Sequence, residues 1–230
     1  MNDRFGLTDN GLTVRILETP EDYLQAYRLR HAIYCRALAW VKGRPDGLEC
    51  DDYEEGSTSI GVFTEENALV GVVRLIPSER RFMLEREFLT LVGPDHGIKK
   101  QADTVEVTRL ATRRTPRSQR PSALVSCLLY KGIYHWSCRH GVRYLYLVVQ
   151  TPYLRTLRLW GFPCSVVGQA QVLGCGRPCV AALLDWDVFH ALALEHPSQF
   201  TIWLMDSHQT NPAPQPGPWP EPGFEPSTCA

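Results

Sequence analysis

The first residues able to do chemistry form a tight acidic cluster, with Glu49, Asp51, Asp52, Glu54 and Glu55 inside seven positions. Trp40 precedes them, and Arg30 lies upstream on a segment of helical character. Carboxylates beside an indole suit a small cationic ligand, because an ammonium or sulfonium gains both charge attraction and a cation–π contact of about 0.5–2 kcal/mol. Charge clustering alone fits a solvated acidic loop better, with Trp40 covering a helix end.

The second constellation is basic. Thr104–Thr112 reads as a strand, TVEVTRLAT, and five arginines fall between 109 and 120 with no acid among them: Arg109, Arg113, Arg114, Arg117 and Arg120. A basic loop that feeds a helix start is a good anion site, since free backbone N–H groups and the helix dipole face the ligand. A phosphopantetheine phosphate or the acidic surface of a carrier protein fits it. A solvated loop or a nucleic-acid contact competes, although no aromatic residues are interleaved for base stacking. Glu106 and Arg109 stand three apart, so on a regular strand they point to opposite faces. Either a bulge brings both to one site or only one of them is in it. A buried Glu106 has a raised pKa and becomes a base for an amine nucleophile; a plain ion pair is the competing reading.

The elements that must position these groups follow from periodicity. Pro20-Glu21-Asp22 opens a helix predicted over 20–40, with acids in its first turn where the dipole favours them. Gly43–Gly47 is a loop. Two strands follow at 57–63 and 68–76; alternation puts Val70, Val72, Arg74 and Ile76 on one face and Leu69, Gly71, Val73 and Leu75 on the other. A short helix is expected at 82–91 and a long one at 122–140, stopped by Gly141. Residues 144–149 read as a strand buried on both faces. A helix over 152–160, closed by Gly161, and a strand at 180–184 complete the pattern. Helices interleaved with strands predict an α/β sandwich.

The order of residues Arg30, Tyr34, Trp40, Glu49-x-Asp51-x-Tyr53-Glu54, Arg74-Leu75-Ile76-Pro77, Met83-Leu84, Phe88 and Glu106-x-x-Arg109 resembles the acyl-homoserine-lactone (autoinducer) synthase family. Looser similarity continues through Gly141-Val142-Arg143-Tyr144 and Trp160-Gly161-Phe162 to about residue 185. Tyr34 stands where the family usually has Phe, and Glu54 where it usually has Asp. A buried tyrosine hydroxyl needs a partner.

The resemblance implies a GNAT-like three-layer αβα sandwich with a mixed, largely antiparallel sheet. It implies S-adenosylmethionine and an acyl thioester, on acyl carrier protein or coenzyme A, as substrates, with no further cofactor. On this basis Arg30, Trp40, Glu49 and Asp51 shape the S-adenosylmethionine pocket, and Tyr34 and Phe88 are also substrate-binding. Arg74 pairs with Asp51 or a neighbouring carboxylate, and Arg109 orders the core of the site. Glu106 is the candidate base. Backbone N–H groups from Thr108 to Leu110 receive the thioester oxygen. Leu145, Leu147, Val149 and Phe162 line the acyl pocket, and Arg113, Arg114 and Arg117 meet the carrier or its phosphate. Leu147 stands where some relatives place a Thr that favours 3-oxo chains, and it offers no donor. Two rivals remain: an N-acyltransferase acting on an amino acid or another amine, as in exosortase-associated or N-acyl amino acid synthases, and a non-catalytic carrier-binding protein.

Composition bounds the rest. The 230 residues suit one acyltransferase domain over 1–205, followed by an extended tail over 206–230, where seven of the 17 prolines fall. A net charge of −1 gives no overall argument for nucleic acid or anionic membrane. No apolar run reaches the length of a membrane span, and the start lacks a signal peptide's basic and apolar regions, so the expected location is the cytoplasm. Eight cysteines are then expected as reduced thiols. Cys175 and Cys179 lack the partners of a zinc site, and no metal is expected.

Overall fold

The computed structural model describes residues 6–113, 122–174 and 176–207. Arg114, Arg117 and the proline-rich tail from residue 208 lie outside the described residues.

The chain opens on a hairpin that the pattern analysis does not predict, β1 (Gly6–Asp9) and β2 (Leu12–Ile16). Its turn is Asn10-Gly11, with φ of +51° and +67°, the left-handed pair that twists a two-residue hairpin correctly. Helix α1 (Pro20–Arg30) follows, capped by Thr19, whose hydroxyl accepts from the Asp22 N–H while the Asp22 carboxylate returns a bond to the Thr19 N–H. Arg15 grips the same carboxylate at 2.7 and 2.8 Å, and this pairing holds the Asp22 carboxyl well below the usual range.

The predicted helix over 20–40 stops at Arg30. The next turns, His31–Ala37, are π-helical, and Trp40 lies beyond them in a loop. The carbonyl of Tyr34 there accepts from both Trp40 N and Val41 N, and Ala39 takes φ +52°, which turns the chain out of the helix.

Strands β3 (Thr58–Thr64), β4 (Leu69–Pro77) and β5 (Thr104–Thr112) form an antiparallel run. Between β4 and β5 the single helix expected at 82–91 is replaced by two separate 3-10 turns, Met83–Glu85 and Leu89–Leu91. Helix α2 (Ser122–His140) then crosses to β6 (Tyr144–Gln150), which lies parallel to β5. Helix α3 (Thr151–Leu159), the short strands β7 (Ser165–Val166) and β8 (Gln171–Val172), β9 (Pro178–Asp185), and helices α4 (Trp186–Glu195) and α5 (Gln199–Met205) complete the described chain. The sheet runs β1-β2-β3-β4-β5-β6-β9-β7, with β8 also pairing β9.

Helices cover both faces. Val14, Ile60, Val62, Val73 and Leu75 pack with Leu128, Leu129, Trp203 and Leu204 of α2 and α5. On the other face Phe63, Leu69, Val72 and Ala111 pack with Ala26 and Leu29 of α1. This grouping corrects the alternation expected along β4. Val70 belongs with Val73 and Leu75, and Leu69 with Val72. The cause is a bulge: Val62 pairs with Gly71 and Phe63 with Leu69, so Val70 is passed over and the faces exchange.

Gly168, in the loop between β7 and β8, sits against the second 3-10 turn. A Cβ there would stand 2.1 Å from the Leu91 carbonyl oxygen and 2.6 Å from Gly93 N. These are backbone atoms, tied in place by the Gly93 N–H bond to the Val167 carbonyl at 2.8 Å. Gly168→Ala is therefore expected to cost about 1–3 kcal/mol, the range for forced overpacking. A urea midpoint equal to that of the parent chain would contradict this packing.

Candidate active site

Pairing between the parallel strands β5 and β6 runs only from Thr104–Tyr144 to Val107–Leu147. Both strands continue beyond it, β5 to Thr112 and β6 to Gln150, without pairing to each other. A cavity of about 660 Å³ opens where they part. Thr108, Arg109 and Leu110 line it from β5, Val148 and Val149 from β6, Tyr130 and Ile133 from α2, and Tyr153 and Leu157 from α3.

The strand β5 is itself bulged at this point. Thr108 pairs with Arg74 and Ala111 with Val72, leaving two residues opposite Val73. Arg109 occupies the bulge with φ +54°, a left-handed conformation that non-glycine residues seldom adopt. This is the distortion that three-residue spacing requires for Glu106 and Arg109 to serve one site.

Beside the cavity lies a charge-balanced network of three arginines and three carboxylates. Arg30 donates from Nε to Glu49 Oε2 at 2.5 Å and reaches Glu54 Oε1 from Nη1 at 2.7 Å. Arg74 Nη1 donates to Asp51 Oδ1, and to Glu54 Oε1 at 2.8 Å; its Nη2 reaches Asp51 Oδ2 at 3.1 Å and its Nε donates to Thr108 Oγ1 at 3.0 Å. Arg109 binds Glu49 Oε1 at 3.0 Å and Asp51 Oδ2 at 2.8 Å. Arg30 and Arg74 are 1% and 0% exposed, so these charges persist only because each is paired several times over. Burial pushes the Asp51 carboxyl upward, but Arg74, Arg109 and Arg30 together outweigh it and hold the group below its ordinary value. Glu49, Asp51 and Glu54 of the acidic segment are thus bound to arginines, three positive groups matching three negative ones. The half-exposed face of Trp40 stays on the cavity wall, its ring 6.1 Å from that of Tyr34.

The hydroxyl at Tyr34 finds a partner. It donates to the Leu110 carbonyl at 2.6 Å, which anchors the bulge to the π-helical turn. Burial pushes its pKa up to about 12, against the pull of Arg109 and Arg30. Tyr34 thereby connects two segments that a phenylalanine could only pack together.

Glu106 is 1% exposed yet borders the cavity. Its Oε2 accepts from Met83 N at 2.5 Å and its Oε1 from Leu84 N at 2.9 Å, both from the first 3-10 turn. Burial is the largest influence and raises its pKa to about 7, more than offsetting those two amides and the nearby Arg74. A carboxylate poised near neutrality is suited to proton transfer.

Of the residues singled out by sequence, Tyr34, Trp40, Phe88, Glu106, Thr108, Arg109, Leu110, Leu147 and Val149 meet on this wall. Arg30, Glu49, Asp51 and Arg74 do not line it and form the network behind it. Arg113 is exposed at the end of β5, its N–H bound to the Val70 carbonyl at 2.7 Å. Pattern reasoning missed Tyr130, Ile133 and Tyr153, the exposed Arg155 and the deep-lying Trp186, all of which border the cavity. Their helical spacing marks them as packing residues, and only the parting of β5 from β6 makes them a wall.

This geometry agrees with the comparisons. The family model described as autoinducer synthase matches residues 16–190.

The chain belongs to the autoinducer synthase family.

It is 28% identical over 178 residues to an acyl-homoserine-lactone synthase of Aeromonas salmonicida, covering 76% of this chain and 86% of the relative. It is 28% identical over 193 residues to one from Ralstonia nicotianae, covering 82% and 93%. Among solved structures, the CoA-dependent acyl-homoserine lactone synthase BjaI with SAM and isopentyl-CoA superposes with a TM-score of 0.65 at 25% identity, covering 78% of this chain and 85% of that one. The AHL synthase LasI gives 0.68 at 17% identity, covering 76% and 89%. The fold is accordingly the GNAT-like one, a mixed and mostly antiparallel open sheet flanked by helices. The chain is an acyltransferase of acyl-homoserine-lactone synthesis. No helix among the described residues is long and apolar enough to cross a membrane.

Proposed function

We propose that the chain joins the acyl group of an acyl thioester, carried on acyl carrier protein or coenzyme A, to the amine of S-adenosylmethionine and then closes the lactone. The amine lone pair attacks the thioester carbonyl carbon, the carbon–sulfur bond breaks, and the carrier leaves as a thiol. The carboxylate oxygen of the acylated product then attacks the γ-carbon. The bond to the sulfonium breaks, and methylthioadenosine leaves as a neutral thioether.

One observation carries this reading: a carboxylate poised near neutrality, Glu106, borders the gap between parted parallel strands beside a backbone bulge. In the proposal Glu106 takes the proton from the attacking amine, directly or through a water. Amides from Thr108 to Leu110 receive the charge that develops on the thioester oxygen. Trp40, Tyr34 and Phe88 hold the adenosylmethionine part, with the indole face against the sulfonium. The network of Arg30, Arg74, Arg109, Glu49, Asp51 and Glu54 positions this wall rather than meeting the reacting atoms. Leu147 and Val149 receive the acyl chain. Arg113, Arg114 and Arg117 meet the carrier or its phosphate.

Incubation of the purified protein with S-adenosylmethionine and a panel of acyl-carrier and acyl-coenzyme A thioesters, read by mass spectrometry, tests it. Methylthioadenosine together with an acyl-homoserine lactone is the expected result. Acylation of some other amine, with no methylthioadenosine from any donor, would move the chain to the amino-acid acyltransferase reading.

A further inference from the structure

The inner part of the cavity is apolar, walled by Leu145, Leu147, Ile133, Leu157, Phe162 and Leu184. A pair of phenols interrupts it. Tyr130 of α2 and Tyr153 of α3 both line the cavity, and their hydroxyls are hydrogen-bonded to each other. Two hydroxyls place only one proton between their oxygens, so the second proton remains to be donated.

A buried donor without an acceptor is costly, and native interiors seldom keep one without a reason. Burial also pushes both phenols far above their ordinary range, so they stay protonated and remain donors. Tyr34 cannot substitute, because its proton is committed to the Leu110 carbonyl. Leu147 supplies no donor from β6. The phenol pair, by contrast, stands on the helical side of the pocket, on α2 and α3.

We propose that this pocket selects acyl groups bearing a hydrogen-bond-accepting oxygen, with the Tyr130–Tyr153 pair as the donor. The inference rests on the acyl-transfer reading above and names the substrate class of that same site. An oxo- or hydroxy-fatty acyl chain and a hydroxyaryl acyl group share this chemistry, and the experiment separates them. Because the two phenols satisfy each other in part when no oxygen is bound, the discrimination expected is moderate, roughly tenfold, the worth of about one hydrogen bond.

The test compares kcat/KM for matched thioesters: straight chains without oxygen, the same chains with an oxo or hydroxyl group at C3 or further out, and aryl acyl groups with and without a ring hydroxyl. The parent chain should prefer one oxygenated series by roughly tenfold. Tyr130→Phe/Tyr153→Phe removes both hydroxyls at once and leaves no phenol unpaired, so it should fold as well as the parent. In it the preference should collapse toward unity, because kcat/KM for the oxygenated series falls further than for the plain chains. A structural role alone would lower all substrates together and leave the ratio unchanged. Equal use of oxygenated and plain chains by the parent, or a preference untouched in the double variant, overturns this inference alone. Absence of methylthioadenosine with every donor overturns the parent reading and this one with it.

Discussion

Glu106→Gln is expected to lower turnover by roughly 10²–10⁴-fold, the range for loss of a positioned general base, while the chain stays folded. The carboxylate is held by two amides, Met83 N and Leu84 N, and one of these bonds survives in the variant because the glutamine oxygen still accepts. The other amide then meets the glutamine NH₂, donor against donor, at a cost of about 1–3 kcal/mol. Stability and turnover should therefore fall by different amounts, and urea unfolding beside kinetics separates them. The pH profile gives a second check. A base acts only when ionised, and the Glu106 pKa is raised to about 7 by burial. The parent kcat/KM should thus rise with pH through about 7 and then level. The rising limb assigned to Glu106 should be missing in the glutamine variant. Unchanged turnover would sink the base assignment.

The largest stability effect is expected at Arg74→Met. Arg74 is fully buried and touches Asp51, Glu54, Thr108 and the Met83 sulfur. Its removal leaves three carboxylates against two guanidiniums in a buried setting. Breaking such a group from one side costs about 3–5 kcal/mol. Adding Glu54→Gln restores the balance of charge and should recover part of the loss, as coupled neighbours do not add. A urea midpoint for Arg74→Met close to the parent value would show that the network does not hold the acidic segment against the sheet.

What was legible in the sequence differs from element to element. The long helix α2 and the strand β6 show in their apolar runs and in the stop at Gly141, and α3 in its amphipathic spacing. The π-helical turn after Arg30 has no compositional mark, since His31–Ala37 reads like continued helix. The β1–β2 hairpin escaped because its strands are short and mostly polar outward, although Asn10-Gly11 is a turn signal. The β4 faces were misassigned because alternation assumes unbroken pairing, and the bulge at Val70 breaks it. In the site, residue types and order pointed to the acids and arginines, but their partners depend on which strand lies beside which. Sequence spacing could not show that Glu49, Asp51 and Glu54 share one network with three arginines. Tyr130 and Tyr153 lie on different helices, and no local pattern connects them; only the parting of β5 and β6 places them on one wall.

The measurement that bears most directly on the central claim is the stoichiometry of one incubation with S-adenosylmethionine and an accepted thioester. Free thiol reports acyl transfer, and methylthioadenosine reports ring closure. Thiol, methylthioadenosine and acyl-homoserine lactone should accumulate in equal amounts. Thiol released with an open-chain acylated amine and no methylthioadenosine would contradict it.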